Sequence, residues 1–314
     1  MRFAHLPGVP RPMSRCVLGT SGIRDESGYP LLDVFLAAGG NCLDTARVYG
    51  GGESEKAVGR WIRRTAPEDL VVVGKGAHPP HCDPALVEDQ LRQSLDLLGL
   101  STIDVYLLHR DDPAVPVGEF VDALERQRQA GRIRCYGGSN WSQDRLAAAN
   151  RYAAATGAAG MTALSNHFSL ADAVEPLYPG CAGVTRDYRD FLAEHGIALL
   201  PWSAQARGFF ANVPAESLDP NVWRCWDTPG NRARRQRAAQ LAAELGLSTI
   251  NVALAFVLGQ NLTTLPIIGP RTEEELRIAL RGADIVLDAG QLAWLEQDDD
   301  EIAAPARAPV SPAG

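Results

Sequence analysis

The stretch NCLDTARVYG, residues 41–50, ends a short apolar run at Asp44 and places Tyr49 in the loop that follows. The same pattern recurs twice: the run VVVGK ends at Lys75 and the run DVYLLH ends at His109. Short apolar runs of this kind are typical of parallel strands that are buried on both faces. All strands of a parallel barrel point the same way, so polar side chains at their carboxyl ends converge on one face. We therefore expect these four side chains to meet in one site.

Predicted strands and helices alternate along the rest of the chain. Strands are predicted over residues 16–20, 41–45, 71–75, 103–108, 133–137, 161–165, 197–200 and 264–268. Helices are predicted over residues 30–39, 53–64, 84–98, 118–130, 142–155, 184–195, 233–245 and 272–281. Eight alternating units are most simply closed as a (β/α)8 TIM barrel, an α/β fold. A doubly wound sheet would usually begin with a glycine-rich turn, and neither GxGxxG nor GxxxxGK occurs in the chain.

The composition is that of an ordinary globular protein, since 46% of the 314 residues are hydrophobic and 22% are charged. With 30 basic and 38 acidic residues the formal net charge is −8, so neither nucleic acid nor an anionic membrane has electrostatic support as a partner. No apolar run has the length of a signal peptide or of a membrane span. We therefore expect a cytoplasmic protein whose partner is a small molecule.

The six cysteines lie far apart in the sequence, which indicates reduced packing residues rather than a disulfide framework. They are Cys16, Cys42, Cys82, Cys135, Cys181 and Cys225. The segment AHPPHCDP contains three residues of metal-binding type, His78, His81 and Cys82. Two prolines and an irregular spacing make a metal site there unfavourable, so we predict no bound metal.

The four polar residues at the strand ends suit the reduction of a carbonyl group. A phenol has an ordinary pKa of about 10, and a neighbouring ammonium favours the phenolate and lowers that pKa. Lys75 supplies such an ammonium, and Asp44 holds it charged and oriented. A neutral His109 beside them is able to donate a hydrogen bond to a substrate carbonyl and fix its direction. The expected site therefore donates a proton to a carbonyl oxygen.

The segment GGNCLDTARVYGGGESEKAVGRWI resembles the aspartate and tyrosine motif of the aldo-keto reductases. VVVGK is similar to the lysine strand of that family and DVYLLHR to its histidine strand, in the same order and at the same spacing. The similarity continues through YGGSNW, LLPWSAQARGFF and PIIGPRTEEEL, so it covers roughly residues 15–296. The resemblance implies a barrel with two further helices, near residues 249–259 and 289–297. It also implies NAD(P)H-dependent conversion between carbonyl and alcohol, with Asp44, Tyr49, Lys75 and His109 as the catalytic residues.

The fifth and sixth predicted strands end in short polar side chains. Ser139 and Asn140 match the pair that binds the nicotinamide amide in the family, whereas the residues alone favour a helix N-cap. At the next strand end relatives usually carry a glutamine that contacts the same amide. This chain has Ser165 there, with Asn166 beside it, and neither side chain reaches as far. We expect a water molecule or Asn166 to replace that contact.

Residues at the ends of the seventh and eighth predicted strands are of types that bind the nicotinamide ring and the phosphates of a dinucleotide. Trp202 matches the aromatic residue that stacks on the nicotinamide in relatives, and the alternative is a ring that plugs the barrel mouth. Barrels often bind phosphate with the loops after strands 7 and 8 and a helix N-terminus, and the alternative here is a plain capped helix. The full predicted cofactor site adds Gly19, Thr20, Ser203, Gln205, Arg207, Gly269, Arg271, Thr272 and Glu275. Because Arg271 attracts a 2′-phosphate and Glu275 repels it, family habit decides, and we predict NADP(H), with NAD(H) also accepted.

A long segment after the seventh strand carries Trp223 and Trp226 in the sequence VWRCWDTPG. Together with neighbouring loops these rings suit a ring-bearing substrate such as a sugar or keto-sugar, and the alternative is that the tryptophans only pack the loop down. The predicted substrate site consists of His78, Trp141, His167, Phe168, Trp223 and Trp226. The predicted partner is therefore a small carbonyl or alcohol.

Two other functions compete with the reductase. One is a nucleotide-binding redox sensor with slow turnover, which resembles the potassium-channel β subunits of the superfamily. The other is a metal-dependent barrel hydrolase, which lacks a convincing set of ligands. We predict one barrel domain over residues 1–301 and an Ala/Pro-rich tail over residues 302–314 that packs little. The sequence does not predict an oligomeric state.

Overall fold

A computed structural model of the chain, which describes residues 1–297, contains a sheet of eight parallel strands. In chain order these are β1 Val17–Gly19, β2 Cys42–Asp44, β3 Val71–Gly76, β4 Ile103–Leu108, β5 Ile133–Ser139, β6 Met161–Ser165, β7 Ala198–Leu199 and β8 Ile267–Ile268. Each strand pairs in parallel with the next one along the chain, from β1 to β7, and β8 pairs with β1. Every strand end that we expected to carry a site residue therefore lies on the same face.

The sheet closes on itself between β7 and the residues just before β8. The amide of Leu199 donates to the carbonyl of Thr263 at 2.9 Å, and the amide of Leu265 donates to the carbonyl of Leu199 at 2.8 Å. A further bond of 2.9 Å runs from the Ile267 amide to the Pro201 carbonyl. Closure leaves no open sheet edge for another chain to pair with. The predicted fold class, an α/β barrel, is confirmed.

Eleven α-helices accompany the strands among residues 1–297. They are α1 Tyr29–Ala37, α2 Glu53–Thr65, α3 Val87–Leu98, α4 Val117–Gln129, α5 Gln143–Thr156, α6 Arg186–Glu194, α7 Pro220–Trp226, α8 Pro229–Leu245, α9 Thr249–Leu258, α10 Glu273–Arg281 and α11 Ala289–Glu296. Most begin or end where the local sequence provides a cap: Ser142 accepts from the Arg145 amide at α5, and Thr185 accepts from the Tyr188 amide at α6. The two additional helices implied by the resemblance correspond to α9 and α11.

The apolar residues of the strands alternate between two packing layers. Val71, Val73 and Val105 point into the barrel, where they form a closed inner cluster. Val72 and Leu43 point outwards and pack against the surrounding helices. Alternation of this kind follows from the two-residue period of a strand, and burial on both faces explains the continuous apolar runs in the sequence.

A short antiparallel hairpin of Phe3–Ala4 and Met13–Ser14 precedes the barrel, in a region for which the sequence predicted no strand. Met13 is fully buried and belongs to the inner cluster of the barrel. Asn41 ties the hairpin to β2, because its side chain accepts from the Ser14 amide at 2.7 Å and donates to the Pro12 carbonyl at 2.9 Å. The hairpin thus closes the amino end of the barrel, opposite the expected site.

The segment between β7 and α8 also differs from the predicted secondary structure. It contains the short helix α7, which starts after Asp219 with a proline in its first turn. The next helix, α8, begins four residues earlier than predicted, because Thr228 accepts from the Asn231 amide and Pro229 occupies the first position. Both starts carry ordinary sequence signals of a helix N-terminus.

All six cysteines are free thiols, and Cys16, Cys42, Cys135 and Cys225 are buried. Among residues 1–297 no single helix is long and apolar enough to cross a membrane; the pair of α8 and α9, bent by 101°, passes by length and composition alone. The predicted tail over residues 302–314 lies outside the described part of the chain.

Candidate active site

The carboxyl ends of β2, β3 and β4 bring the four predicted catalytic residues together. Asp44 is the last residue of β2, Lys75 is the penultimate residue of β3, and His109 directly follows β4. Tyr49 opens a 3-10 turn, Tyr49–Gly52, whose start is fixed by a 2.9 Å bond from the Tyr49 amide to the Ala46 carbonyl. The His109 amide donates to the Gly76 carbonyl at 2.6 Å, which extends the strand pairing up to the histidine.

Lys75 is the centre of the cluster. Its ammonium donates to the Asp44 carboxylate and, at 3.1 Å, to the Tyr49 hydroxyl, which lies 3.4 Å from the second Asp44 oxygen. The Asp44 and Lys75 side chains are almost completely buried. Both charges are therefore removed from water and held against each other, which requires close geometry to offset the cost of desolvation.

The charges of this cluster favour an ammonium and a protonated phenol. Burial alone would lower the pKa of Lys75, but the Asp44 carboxylate and Tyr49 outweigh it, so the net pKa is raised. Burial and then the Asp44 charge raise the pKa of Tyr49, while Lys75 opposes them. Lys75 lowers the pKa of Tyr49 as expected, but burial outweighs this effect and the net pKa is raised. The tyrosine keeps its proton at neutral pH, as a proton donor must.

His109 packs against this cluster as a neutral ring. Its plane is nearly perpendicular to the Tyr49 ring, with 5.9 Å between the ring centres, and the His78 ring lies 5.0 Å away on another side. Burial and then the positive charges of Lys75 and Arg110 hold the pKa of His109 well below its usual range. A neutral imidazole has one N–H to donate, as the carbonyl-orienting role requires.

The ends of β5 and β6 form a small polar floor. The Ser139 hydroxyl donates to the Ser165 carbonyl at 2.7 Å and accepts from the Asn140 amide group at 3.0 Å. Asn140 also donates to the His109 carbonyl at 3.3 Å, and its oxygen accepts from the Ala182 amide at 3.3 Å. The Ser165 hydroxyl is buried and has no hydrogen-bond partner in the described chain. The Ser165 hydroxyl is thus free both to donate and to accept a hydrogen bond. The side chains of Ser139 and Asn140 already use their donors and are able only to accept further bonds.

Asn166 does not take over the role of the missing glutamine. Its side chain accepts from the Trp141 amide at 3.2 Å and donates to the Trp141 carbonyl at 2.8 Å. Trp141 is fully buried and packs edge-on against Phe120, and its predicted contact with the substrate stays a prediction. Phe168 is also buried and packs beside Phe256, with 6.0 Å between ring centres. Both rings are therefore enclosed by neighbouring side chains.

The loop after β7 is tightly wound. Ser203, Ala206 and Arg207 all have left-handed backbone angles, with φ of 52°, 46° and 50°. Gln205 donates to the Ile250 carbonyl of α9 at 3.2 Å, which anchors the loop from below. Arg207 contacts the Tyr178 hydroxyl at 3.3 Å, so it links two loops across the mouth. Trp202, at the start of this loop, is partly exposed.

The remaining predicted cofactor residues divide into two groups. Thr20 is fully buried after β1, where its hydroxyl donates to the backbone carbonyl of Asp44 at 2.9 Å and so helps to hold the end of β2. Gly19 pairs with Asp44 in the sheet. At the other end, Gly269 borders open space, and Thr272 caps α10 by accepting from the Glu275 amide at 3.1 Å. The predicted cofactor contacts of Thr20 and Gly269 both stay predictions.

Arg271 and Glu275 pair with each other at the start of α10. The guanidinium donates to the carboxylate at 3.1 Å, and the Arg271 amide donates to the other carboxylate oxygen at 2.7 Å. The arginine side chain is 77% exposed and the glutamate 41%. These are the two residues that the sequence analysis predicted to attract and to repel a 2′-phosphate, and here they bind each other.

A cavity of about 210 Å³ lies between the loops after β6 and β7. Its walls include His167, Trp202 and Trp226, three of the rings that we predicted at the mouth. Trp223 instead packs against Phe209, with 6.1 Å between ring centres, and His78 lies beside His109. Of the six predicted substrate residues, only His167 and Trp226 line this cavity, so the predicted set is not in one place.

A sequence model of the Aldo/keto reductase family matches residues 16–299. The chain belongs to this family. An uncharacterized oxidoreductase YrpG of Bacillus subtilis is 27% identical over 94% of this aldo/keto reductase and 95% of its own length. A probable aryl-alcohol dehydrogenase AAD4 of Saccharomyces cerevisiae is 28% identical over 86% of this chain and 87% of its own. The crystal structure of a thermostable aldo-keto reductase Tm1743 superposes with a TM-score of 0.75 at 23% identity, over 94% of this chain and 99% of that one.

Two residues near the active site of this aldo/keto reductase were missed by the sequence reasoning. Glu55 on α2 is 0% exposed, a burial that the sequence analysis did not predict. Its three-residue spacing from the apolar Val58 was the available signal. Arg110, next to His109, donates to the Cys181 thiol at 3.4 Å and so reaches the wall of the cavity. No sequence pattern pointed to that contact.

Among residues 1–297 of the reductase, no three His, Cys, Asp or Glu side chains come close enough to hold a metal ion. The available chemistry is that of a buried ammonium, a protonated phenol and a neutral imidazole. These groups are able to hold a carbonyl oxygen by hydrogen bonds and deliver a proton to it.

Proposed function

We propose that this aldo/keto reductase interconverts a carbonyl compound and an alcohol with a nicotinamide cofactor. The observation that supports the proposal most strongly is the contact of Lys75 with both Asp44 and Tyr49, with a neutral His109 packed against the tyrosine. A site that reduces a carbonyl must supply a proton to its oxygen, and the Tyr49 hydroxyl is the proton donor at the centre of this arrangement.

Each of the four residues has a distinct role in the proposed reaction. Tyr49 donates the proton to the carbonyl oxygen, and the Lys75 ammonium stabilises the phenolate that remains. Asp44 keeps Lys75 charged in its buried position. His109 donates a hydrogen bond that orients the carbonyl towards the tyrosine. The reverse reaction, oxidation of an alcohol, uses the same groups with the tyrosine as the base.

The strand ends around the barrel mouth offer groups that suit a nicotinamide dinucleotide. The buried, unpartnered hydroxyl of Ser165 and the spare acceptors of Ser139 and Asn140 would hold the amide of the ring, with Trp202 as the stacking surface. The open space at Gly269 and the N-terminus of α10 would receive phosphate. When bound, the cofactor supplies or accepts a hydride.

We propose NADP(H) as the preferred cofactor, with NAD(H) also accepted. Arg271 is highly exposed, so its guanidinium is able to turn from Glu275 to a 2′-phosphate. Glu275 competes for the same guanidinium, which limits the preference. The cytoplasmic location and the single-domain arrangement over residues 1–301 stay predictions from the sequence.

We propose a ring-bearing substrate. The aromatic lining of the cavity beside Trp202 supports this class, and the yeast relative that is named a probable aryl-alcohol dehydrogenase supports a ring next to the reacting carbon. A sugar or keto-sugar also carries a ring, and a panel that contains aromatic aldehydes and sugars separates the two.

Replacing Tyr49 by phenylalanine tests the proposed reaction. The change removes the proton donor and keeps the ring, so turnover of aldehydes with NADPH should fall by about two to four powers of ten. The dissociation constant for NADPH should remain nearly the same. Near wild-type turnover in the variant would rule out the assigned mechanism. Tight nucleotide binding by the wild-type protein without turnover of any aldehyde would instead favour a redox sensor.

A further inference from the structure

Arg110 carries a positive charge beside the proposed reaction centre without a matching negative charge. Its guanidinium donates to the His109 carbonyl at 2.8 Å through Nη1 and to the Cys181 thiol at 3.4 Å through Nη2. The residue is half-buried, and within residues 1–297 no aspartate or glutamate forms an ion pair with it. A cation that is partly removed from water is costly unless an anion meets it.

The nearest acidic residues in the sequence are engaged elsewhere. Asp111 accepts two bonds, of 2.8 and 2.7 Å, from the guanidinium of Arg145. Asp112 accepts from a backbone amide two residues further on, at 3.0 Å. Burial raises the pKa of the Cys181 thiol against the opposing charge of Arg110, so the sulfur stays protonated at neutral pH. No group in the described part of the chain therefore supplies Arg110 with a close counter-charge.

Support of His109 does not account for a charged side chain at this position. The His109 carbonyl also accepts from the Asn140 side chain at 3.3 Å, so a neutral amide already serves the same oxygen. The Nε of Arg110 makes no bond to any described residue and is not buried, so it faces accessible space. A guanidinium presents its N–H groups as a planar fork, which matches a carboxylate through two parallel hydrogen bonds.

The position of Arg110 favours an anion on the substrate over one on the cofactor. The proposed nicotinamide site lies at the ends of β5 and β6, and the proposed phosphate site lies at the start of α10, beyond β8. Arg110 instead follows β4, directly after the histidine that is proposed to orient the carbonyl. In the sheet β4 pairs with β3 and β5, the strands nearest to the proton donor and the nicotinamide site. An anion at Arg110 therefore belongs to the molecule whose carbonyl His109 orients.

From these observations we infer that Arg110 binds a carboxylate of the substrate, so that the reductase prefers aldehydes or ketones that carry an acid group. The inference rests on the proposed carbonyl reduction, because it concerns the substrate of that reaction. Arg110 is the residue after His109, so the carboxylate lies a few bonds from the reacting carbon. Oxo acids of four and five carbons have this spacing, and the inference holds whether or not the substrate also carries a ring.

A second arginine near Tyr49 provides a matched control. Arg24, in the loop after β1, lies against Gly50, where an added Cβ atom would be 3.1 Å from its Nη1. Its side chain is exposed and forms no ion pair with a described residue. A charge that stays in water needs no partner, so Arg24 does not point to a ligand as Arg110 does. Its removal shows whether any positive charge beside Tyr49 has the same effect.

The experiment compares kcat/KM for 4-oxobutanoate and its methyl ester, with NADPH, in the wild type, Arg110→Gln, Arg110→Lys and Arg24→Gln. The ester keeps the chain and the carbonyl but lacks the charge, so the acid-to-ester ratio cancels any effect of a substitution on the chemical step. The ratio should fall about 10-fold or more in Arg110→Gln and less in Arg110→Lys, which keeps the charge but loses the fork. In Arg24→Gln it should change by less than about twofold, since an exposed charge is screened.

The same comparison with 5-oxopentanoate and its ester covers a carboxylate one carbon further away. Thermal melting shows whether each variant folds. The wild type alone overturns the inference if the ester equals or exceeds its acid at both chain lengths. An unchanged ratio in a folded Arg110→Gln variant overturns it as well, as does an equal fall in Arg24→Gln.

Failure of the proposed function gives a different result. In that case the wild type reduces neither the acids nor the esters. Arg110 is then tested by the melting temperature of the wild type with NADP⁺ and either 4-hydroxybutanoate or its neutral amide. A larger rise with the acid supports carboxylate binding, and an equal rise with the two compounds, or none, overturns it.

Discussion

Lys75 carries its charge in a site from which water is excluded, and Asp44 makes this possible. Isolated burial of an ammonium would favour its neutral form, whereas the adjacent carboxylate and the tyrosine raise its pKa instead. An uncharged lysine would offer no electrostatic stabilisation to a phenolate. Asp44 therefore contributes to the proposed chemistry through the charge of its neighbour.

The pH dependence of carbonyl reduction follows from the other two residues. Tyr49 must be protonated, and its pKa is raised above the ordinary value of about 10. His109 must be neutral, and its pKa is held well below the ordinary value of about 6.5. We therefore expect kcat/KM for reduction to be flat from about pH 6.5 to about pH 10, since neither group titrates in that window.

Initial rates across this window, at constant ionic strength, check the expectation. The Tyr49→Phe variant serves as the control, because any residual dependence in it cannot come from the tyrosine. If kcat/KM in the wild type fell as the pH dropped through about 7 because His109 became protonated, the proposed neutral role of His109 would have to be abandoned.

At the scale of the element, the proposed cofactor preference depends on the N-terminus of α10. Glu275 holds both the guanidinium and the backbone amide of Arg271. We expect Glu275→Gln to tighten NADPH binding about fivefold and NADH binding less, because it releases Arg271 and removes a repulsive charge worth about 1 kcal/mol. Arg271→Ala should weaken NADPH binding selectively.

Fluorescence titrations of both variants with both nucleotides measure this difference. Arg277→Ala is a matched control, since Arg277 forms a similar ion pair with Glu273 at 3.5 Å on the same helix. Equal shifts for NADPH and NADH in either test variant would show that the side chain does not read the 2′ group.

The contact between α2 and α3 depends on the absence of a side chain at Gly59. A Cβ atom there would lie 2.1 Å from the Leu97 carbonyl oxygen and 2.8 Å from Cα of Leu98. Backbone cannot move aside as a side chain can, so Gly59→Ala should lower the free energy of unfolding by about 1–3 kcal/mol.

Urea denaturation measures that loss. Gly230→Ala in α8 is the control, because no atom lies within 4 Å of its added Cβ, and alanine favours a helix over glycine. An equal stability of Gly59→Ala and the wild type would mean that the two helices adjust at no cost.

At the scale of the whole molecule, the sequence predicted the barrel and the meeting of Asp44, Tyr49, Lys75 and His109, because both follow from where the strands end. A continuous apolar run indicates a buried strand. Because all strands of a parallel barrel end at the same face, the polar residue at the end of each run lies on that face. The N-terminal hairpin escaped prediction because each of its strands has two residues, too few to show a period. The burial of Trp141 depends on the side-chain bonds of Asn166, a contact between two loops that no local pattern records.

The stability of the whole fold should also depend on pH through Glu55, which the proposed reaction does not use. Burial raises its pKa from 4.5 to about 7, against the opposing effects of the Ser94 hydroxyl and the charges of Arg47 and Lys75. Between these two pH values the folded state binds more protons than the unfolded state, so this residue makes the fold less stable as pH rises. This difference in pKa lowers the free energy of unfolding by at most about 3 kcal/mol above pH 7 and does not change it below pH 4.5.

Glu55→Gln replaces the carboxyl group by a neutral group of the same shape, so the variant should be more stable than the wild type at pH 8 and equal to it at pH 4. Urea denaturation of both proteins at the two pH values gives the difference, and other titrating groups cancel in the comparison. Glu53→Gln, in the same helical turn but exposed, should show no such change. A stability difference between wild type and Glu55→Gln that stays constant with pH would contradict a raised pKa, because only a group that titrates between the two values makes the difference grow with pH.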